Sequence, residues 1–114
     1  MGDLKERTKS FALAIIHLYA ALPQRPEARV IGQQVLRSGT SVGAHYREAT
    51  RARSSAEYIS KLEVGLQELE ESIYWLELLR DTNLTETAEL DPLFKEASEL
   101  IAIFVTCVKK ARQK

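Results

Sequence analysis

The residues able to do chemistry are few in this chain. It holds two histidines, His17 and His45, and one cysteine, Cys107. A di-iron site in a helical bundle takes two Glu-x-x-His pairs and two further glutamates. Here only one reversed pair exists, His45–Tyr46–Arg47–Glu48, and His17 has no acid at matching spacing. A single cysteine excludes an intramolecular disulfide and a zinc site of several thiolates. Cys107 lies in the apolar run Leu100–Val108 and reads as a small buried hydrophobe, slow to react. Ser38 and His45 are seven residues apart, about 10.5 Å along a helix, too far for a nucleophile–base pair. No glycine-rich phosphate loop follows a strand, and no nucleophile elbow occurs. The expectation is no catalytic residue, no metal and no cofactor.

One segment is unusual, Arg37–Ser38–Gly39–Thr40–Ser41–Val42–Gly43–Ala44–His45–Tyr46–Arg47–Glu48–Ala49. Small residues permit close helix contact, and hydroxyls can bond carbonyls one turn back. Ser38, Ser41 and His45, with Glu48 on the same helix, are placed to join Glu57, Glu68 or Glu71 on the next in a polar network. Satisfied buried polar groups fix register even when they add little stability. A structural network is expected here ahead of a ligand site.

Four amphipathic stretches must carry these residues. Leu4, Thr8, Phe11, Ile15, Leu18 and Leu22 recur at three and four, which predicts a helix over 4–22 stopped by Pro23 and Pro26. A second helix is expected over 27–53, with the stripe Ile31, Val35, Ser38, Val42, His45, Ala49 and Ala52. Gly32, Gly39 and Gly43 lie inside it, each costing about 1 kcal/mol against alanine. Ser54–Ser55 offers a break and an N-cap. The third helix, over 56–80, has Ile59, Leu62, Leu66, Leu69, Ile73 and Leu76 in unbroken alternation. Asp81–Thr82–Asn83 reads as a turn and Thr85 as the N-cap of a fourth helix over 86–112. That helix buries Leu90, Phe94, Ala97, Ile101, Phe104, Val108 and Ala111. No stretch alternates with period two. The fold class is all-α: one antiparallel up-down-up-down four-helix bundle spanning residues 1–114.

The 114 residues are 45% hydrophobic and 28% charged, which excludes a disordered chain. Sixteen bases balance sixteen acids, so a globally basic nucleic-acid binder is not indicated. The zero hides an asymmetry. Residues 25–54 carry six arginines against Glu27 and Glu48, whereas residues 55–83 carry Lys61 and Arg80 against seven acids. Three readings follow: pairing between neighbouring helices, pairing between subunits in a head-to-tail ring, or an arginine surface for nucleic-acid phosphates. Arg37, Arg47, Arg51 and Arg53 are the candidates for the last two. The longest apolar run is about half a bilayer span. No signal peptide is recognised at the N-terminus, so no membrane role is expected and the expected compartment is the cytoplasm.

The sequence resembles the bacterial "four helix bundle protein" family, whose founding members are encoded by intervening sequences within large-subunit ribosomal RNA genes. The matching residues are Gln34-x-x-Arg37–Ser38–Gly39–Thr40–Ser41–Val42–Gly43–Ala44 with Tyr46–Arg47–Glu48–Ala49, then Glu57–Tyr58–Ile59–Ser60–Lys61–Leu62, then Glu68 with Tyr74–Trp75–Leu76–Leu79. The family usually has asparagine where this chain has His45; imidazole can also donate and accept. The resemblance implies an antiparallel bundle and a ring-shaped homo-oligomer, typically a pentamer. It extends more distantly to the accessory protein of diversity-generating retroelements, which binds nucleic acid and a nucleic-acid enzyme. The functional expectation is a non-enzymatic homo-oligomeric adaptor binding structured RNA. The alternative is a structural or protein-binding module without a nucleic-acid role.

Overall fold

In a computed structural model that describes residues 3–113, the chain folds into four long helices and no strand. They are α1 (Leu4–Ala21), α2 (Pro26–Thr50), α3 (Ser55–Asp81) and α4 (Thr87–Arg112). Each packs against its neighbours in the order α1–α2–α3–α4–α1, so the chain is an antiparallel up-down-up-down bundle. The bundle measures 48 × 21 × 20 Å.

The caps explain the boundaries. Asp3 accepts from the Lys5 N–H at the start of α1, and Ser54 accepts from the Glu57 N–H at the start of α3. Pro26 opens α2 in the first turn, where its missing N–H costs nothing. Beyond Asp81, Asn83 takes the left-handed conformation, φ 58°. The Leu84 N–H reaches back to the Leu79 carbonyl and the Asn83 N–H to that of Arg80. This double closure is a Schellman motif, with buried Leu84 as its apolar anchor.

Beyond one-residue shifts at several helix ends, the end of α2 and the cap of α4 differ from the sequence reading. α2 ends at Thr50 rather than Arg53, because Arg51 leaves helical geometry and Ser54 must be extended to cap α3. α4 begins at Thr87 with Glu86 as its cap, not Thr85. The Thr85 hydroxyl is instead buried without a partner. α4 also tolerates Pro92 in its second turn, at the cost of one bond to the Ala88 carbonyl.

The core stripes of α2, α3 and α4 are rotated from those expected. On α1, Leu4, Thr8, Phe11, Ile15 and Leu18 are buried as read, with the Thr8 hydroxyl satisfied by the Leu4 carbonyl at 2.8 Å. On α3, Gly65 and Ser72 join the buried row of Leu62, Leu69, Leu76 and Leu79, while Ile59, Leu66 and Ile73 are half-buried. On α4, Leu93 and Leu100 are buried, whereas Phe94, Ile101 and Ala111 are half-buried. On α2 the buried row includes Gly32, Gly39 and Gly43, and the expected Ile31 and His45 are half-buried; Ala52 lies beyond the helix. A helix in a bundle touches two neighbours, so its buried face is wider than one stripe and centres between them.

The glycines account for the rotation. A Cβ on Gly39 would stand 2.8 Å from Ile15 Cγ1, and one on Gly43 would stand 3.1 Å from Thr8 Oγ1. The absence of these Cβ atoms brings the backbones of α1 and α2 together, which offsets the propensity cost of glycine in a helix. Cys107 also departs from expectation. It is half-buried, not buried, and lines an open pocket with Tyr58, Arg53 and Lys110.

Candidate functional site: a polar seam and a basic pole

The expected network forms along the α2–α3 seam, with a different membership. Ser38 is fully buried and meets Ser72 Oγ at 2.8 Å. Ser72 spends its one hydrogen on the Glu68 carbonyl at 2.8 Å, so Ser38 donates to Ser72. Ser72 escapes an apolar count because it is a serine, yet it lies three residues past Leu69, on the buried row. Ser41 does not cross to α3; it donates to the Arg37 carbonyl of its own helix at 2.7 Å. Glu57 is not in the seam either. It accepts from the Arg53 N–H at 3.2 Å and so holds the α2–α3 turn.

Further along the seam the charged members join. Arg37 bridges Glu68 at 3.3 Å and Glu71, which also accepts from the Trp75 indole N–H at 2.9 Å. His45 lies between two carboxylates, bonded to Glu48 at 3.0 Å and 3.6 Å from Glu68. The His45 hydrogen bond, aided by Lys61, holds the Glu48 carboxyl below its usual range. The imidazole thus bonds within its own helix and faces a carboxylate of α3.

The Ser38–Ser72 bond sets a test. Ser72→Ala leaves the buried Ser38 hydroxyl only the distant Val35 carbonyl, at 3.5 Å, and is expected to cost about 1 kcal/mol. Replacing both serines by alanine removes donor and acceptor together, so it should cost less than the two single changes added. Urea melts of the four proteins measure the coupling; strictly additive effects would mean the two hydroxyls do not interact.

The four candidate arginines divide. Arg37 is neutralised within the seam. The guanidinium groups of Arg47, Arg51 and Arg53 have no carboxylate within 4.0 Å among the described residues. All three lie at the end of the bundle where α2 turns into α3. The antiparallel order brings the start of α1 and the end of α4 to that same end.

The charge asymmetry is therefore axial. The half of the bundle at the α2–α3 turn carries ten bases: Lys5, Arg7, Lys9, Arg47, Arg51, Arg53, Lys61, Lys109, Lys110 and Arg112. Against them stand five acids: Asp3, Glu6, Glu48, Glu57 and Glu63. Arg37, Glu68, Glu70, Glu71 and Glu99 sit near mid-height. The far half carries four bases, Arg25, Arg29, Arg80 and Lys95, against seven acids, Glu27, Glu77, Asp81, Glu86, Glu89, Asp91 and Glu96.

Helix dipoles explain only part of this. Bases at the ends of α2 and α4 suit the negative dipole pole. Lys5, Arg7 and Lys9 at the start of α1, and Glu77 and Asp81 at the end of α3, oppose it. Some bases are spent internally. Arg7 reaches down to clasp Glu96 at 2.6 Å and Glu99 at 2.9 Å on α4, and these bonds, Glu96 first, push its already high pKa higher. Arg112 pairs with Glu63 at 2.6 Å.

Among the described residues no group of His, Cys, Asp and Glu is placed to hold a metal ion. No helix among them is long and apolar enough to cross a membrane. Residues 3–106 match the family model of the 23S rRNA-intervening sequence protein. The chain belongs to that family. A similar solved structure is a protein of unknown function from the S23 ribosomal protein family of Bacteroides thetaiotaomicron. It is 36% identical, with a TM-score of 0.88 over 94% of this chain and 99% of that one. No curated protein matches the chain. The matched residues include the polar seam and seven of the ten bases of the pole, with Lys109, Lys110 and Arg112 beyond them, and the relative's fold extends over nearly the full bundle.

Proposed function

We propose that the chain is a non-enzymatic homo-oligomeric adaptor of the cytoplasm, binding structured RNA at its basic pole. The observation that carries this reading is the concentration of Arg47, Arg51 and Arg53, whose guanidinium groups form no ion pair among the described residues, in the ten bases of one end. Phosphates are attracted by local potential, not by the net charge of the chain. The acids at the tip of the far half lie up to 48 Å away, well beyond the Debye length of roughly 10 Å at 0.1 M salt. At mid-height, Glu68 and Glu71 are already paired with Arg37, and Glu99 with Arg7. Of the α3 glutamates, that leaves Glu57 and Glu63 at the pole, Glu57 beside Arg51 and Arg53 and Glu63 paired with Arg112. An adaptor also needs a second contact, and the resemblance favours self-association into a ring, typically a pentamer. A nucleic-acid enzyme, such as the distant retroelement relative binds, is a second partner of the same chemistry.

Filter binding of a structured RNA across a salt series tests the reading. The logarithm of the binding constant is expected to fall linearly with the logarithm of salt, with a slope of about −3 or steeper. Absence of binding at roughly 50–100 mM salt would instead leave a structural or protein-binding module. The pole is about 20 Å across, so binding should favour duplex or hairpin RNA, whose phosphates span it.

A further inference from the structure

We infer that the groove between α1 and α4 receives a basic amphipathic helix of a partner protein. The contact goes beyond the RNA reading and uses neither the basic pole nor the α2–α3 seam. α1 and α4 are the most loosely packed pair of neighbouring helices. Arg7 clasps Glu96 and Glu99 at the pole side of their seam. Beyond that clasp the two helices leave an open groove of about 500 Å³. The residues of α1 explain it. Ser10, Ala14, His17 and Ala21 recur at four, three and four, so they form one stripe, and all four line the groove. Three of them are too small to fill the space. In the α1–α2 seam small residues bring the backbones together; here they leave room.

The groove has an apolar floor and a rim short of donors. Phe11, Leu18 and Leu93 are buried and form the floor. Glu89 and Glu96 line the groove, and no lysine or arginine does. Glu96 is held by Arg7, but Glu89 has no basic side chain within 4.0 Å among the described residues, His17 of the facing wall included. Pro92, also in the wall, has no N–H, so the Ala88 carbonyl lacks its helical donor. A free carboxylate, an imidazole able to accept and a freed carbonyl thus surround one apolar floor. Together they call for N–H donors, which lysine and arginine carry in number.

Shape and charge specify the occupant. The α1 stripe is about 16 Å long, three helical turns, and the groove is open rather than enclosed. That form suits a helix lying along it, with apolar residues at i, i+3, i+4 and i+7 over the floor. Lysine or arginine on the flank of that helix meets Glu89 and the Ala88 carbonyl. The surrounding half of the bundle agrees in sign, with four bases against seven acids, so an acidic helix is repelled. The groove lies largely in the half remote from the basic pole, so RNA and a protein partner can be held at once, as an adaptor requires.

Labelled peptides of about eighteen residues, five helical turns, test this. The first is built of leucine and lysine with every leucine on one face. The second has the same composition with the leucines spread round the helix. The third keeps the first pattern with glutamate in place of lysine. In fluorescence anisotropy at roughly 0.15 M salt, the first should bind the wild type about 10-fold or more tightly than either of the others. Ala14→Trp, which fills the groove, should weaken the first peptide about 10-fold or more. Glu89→Lys should weaken the first peptide and strengthen the third. Ala14 and Glu89 are exposed, so both variants should keep the wild-type circular dichroism, sedimentation and RNA binding. Glu89→Lys fills nothing and keeps the test open should Ala14→Trp misfold. No binding of the first peptide, equal binding of the second, or variants that bind as the wild type does would overturn the contact. So would a changed assembly mass in Ala14→Trp, since a second copy would then cover the groove. A wild type that binds the first peptide but no RNA would sink the RNA reading and leave the groove standing.

Discussion

Leu69→Ala should cost about 2–5 kcal/mol of folding stability, among the largest single effects in this protein. Leu69 is fully buried at the middle of α3, between Leu62 and Leu76 and one turn before Ser72. It faces the axis where the four helices converge. Helices fixed by glycine contacts on one side and the Ser38–Ser72 bond on the other have little freedom to collapse into the space left. The cavity contribution should therefore be nearly complete, which places the effect towards the upper part of that range. Leu66→Ala provides the contrast. It belongs to the same apolar alternation, but it is half-buried, so roughly half the apolar area is at stake. Denaturant melts of the two variants, with unchanged m-values, make the comparison. Equal destabilisation, or an effect at Leu69 below about 0.5 kcal/mol, would contradict the core described above.

Reversing the sign of Arg47, Arg51 and Arg53 together should abolish RNA binding while leaving the fold intact. The three side chains are half-buried or exposed and make no ion pair with an acidic side chain among the described residues, so their replacement by glutamate breaks no bond holding the bundle. Each phosphate no longer neutralised should reduce the magnitude of the salt slope by about 0.9 for a duplex, and removing three such charges should lower affinity by roughly 100-fold or more. Arg37→Glu is the internal control. Arg37 is spent on Glu68 and Glu71 in the α2–α3 seam, so its reversal should weaken the fold without a comparable change in the salt slope. Filter binding and a thermal melt on each variant separate the two outcomes. An unchanged slope in the triple variant would place any RNA contact elsewhere.

Four helices, their order and most of their ends are legible in the sequence because each signal is local. Pro23 and Pro26 terminate and restart helices by backbone geometry alone, and Ser54 caps by a bond three residues away. The α1 stripe is legible because that helix is packed on its Leu4–Leu18 face and little else. The family is legible as well, since the run from Arg37 to Ala49 carries an uncommon density of small and hydroxyl residues.

The faces that pack inward are not local properties. Whether Leu66 or Gly65 sits on the axis depends on where α4 approaches, and a Cβ on Gly65 would stand 2.8 Å from Phe104 Cε2. A glycine carries no hydrophobic signal, so only the packed neighbour reveals its role. Ser72 is hidden for the same reason: its partner, Ser38, is thirty-four residues away. Charge is the clearest case. Along the chain it is a basic second helix followed by an acidic third. Antiparallel folding sets those helices side by side, lets Arg37 cancel against Glu68 and Glu71, and gathers what remains by height rather than by helix. An amphipathic four-helix bundle of zero net charge follows from the residues and their spacing. The sorting of that charge into two poles follows only from the packed helices, because long-range position, not neighbouring residue type, sets the field a partner meets.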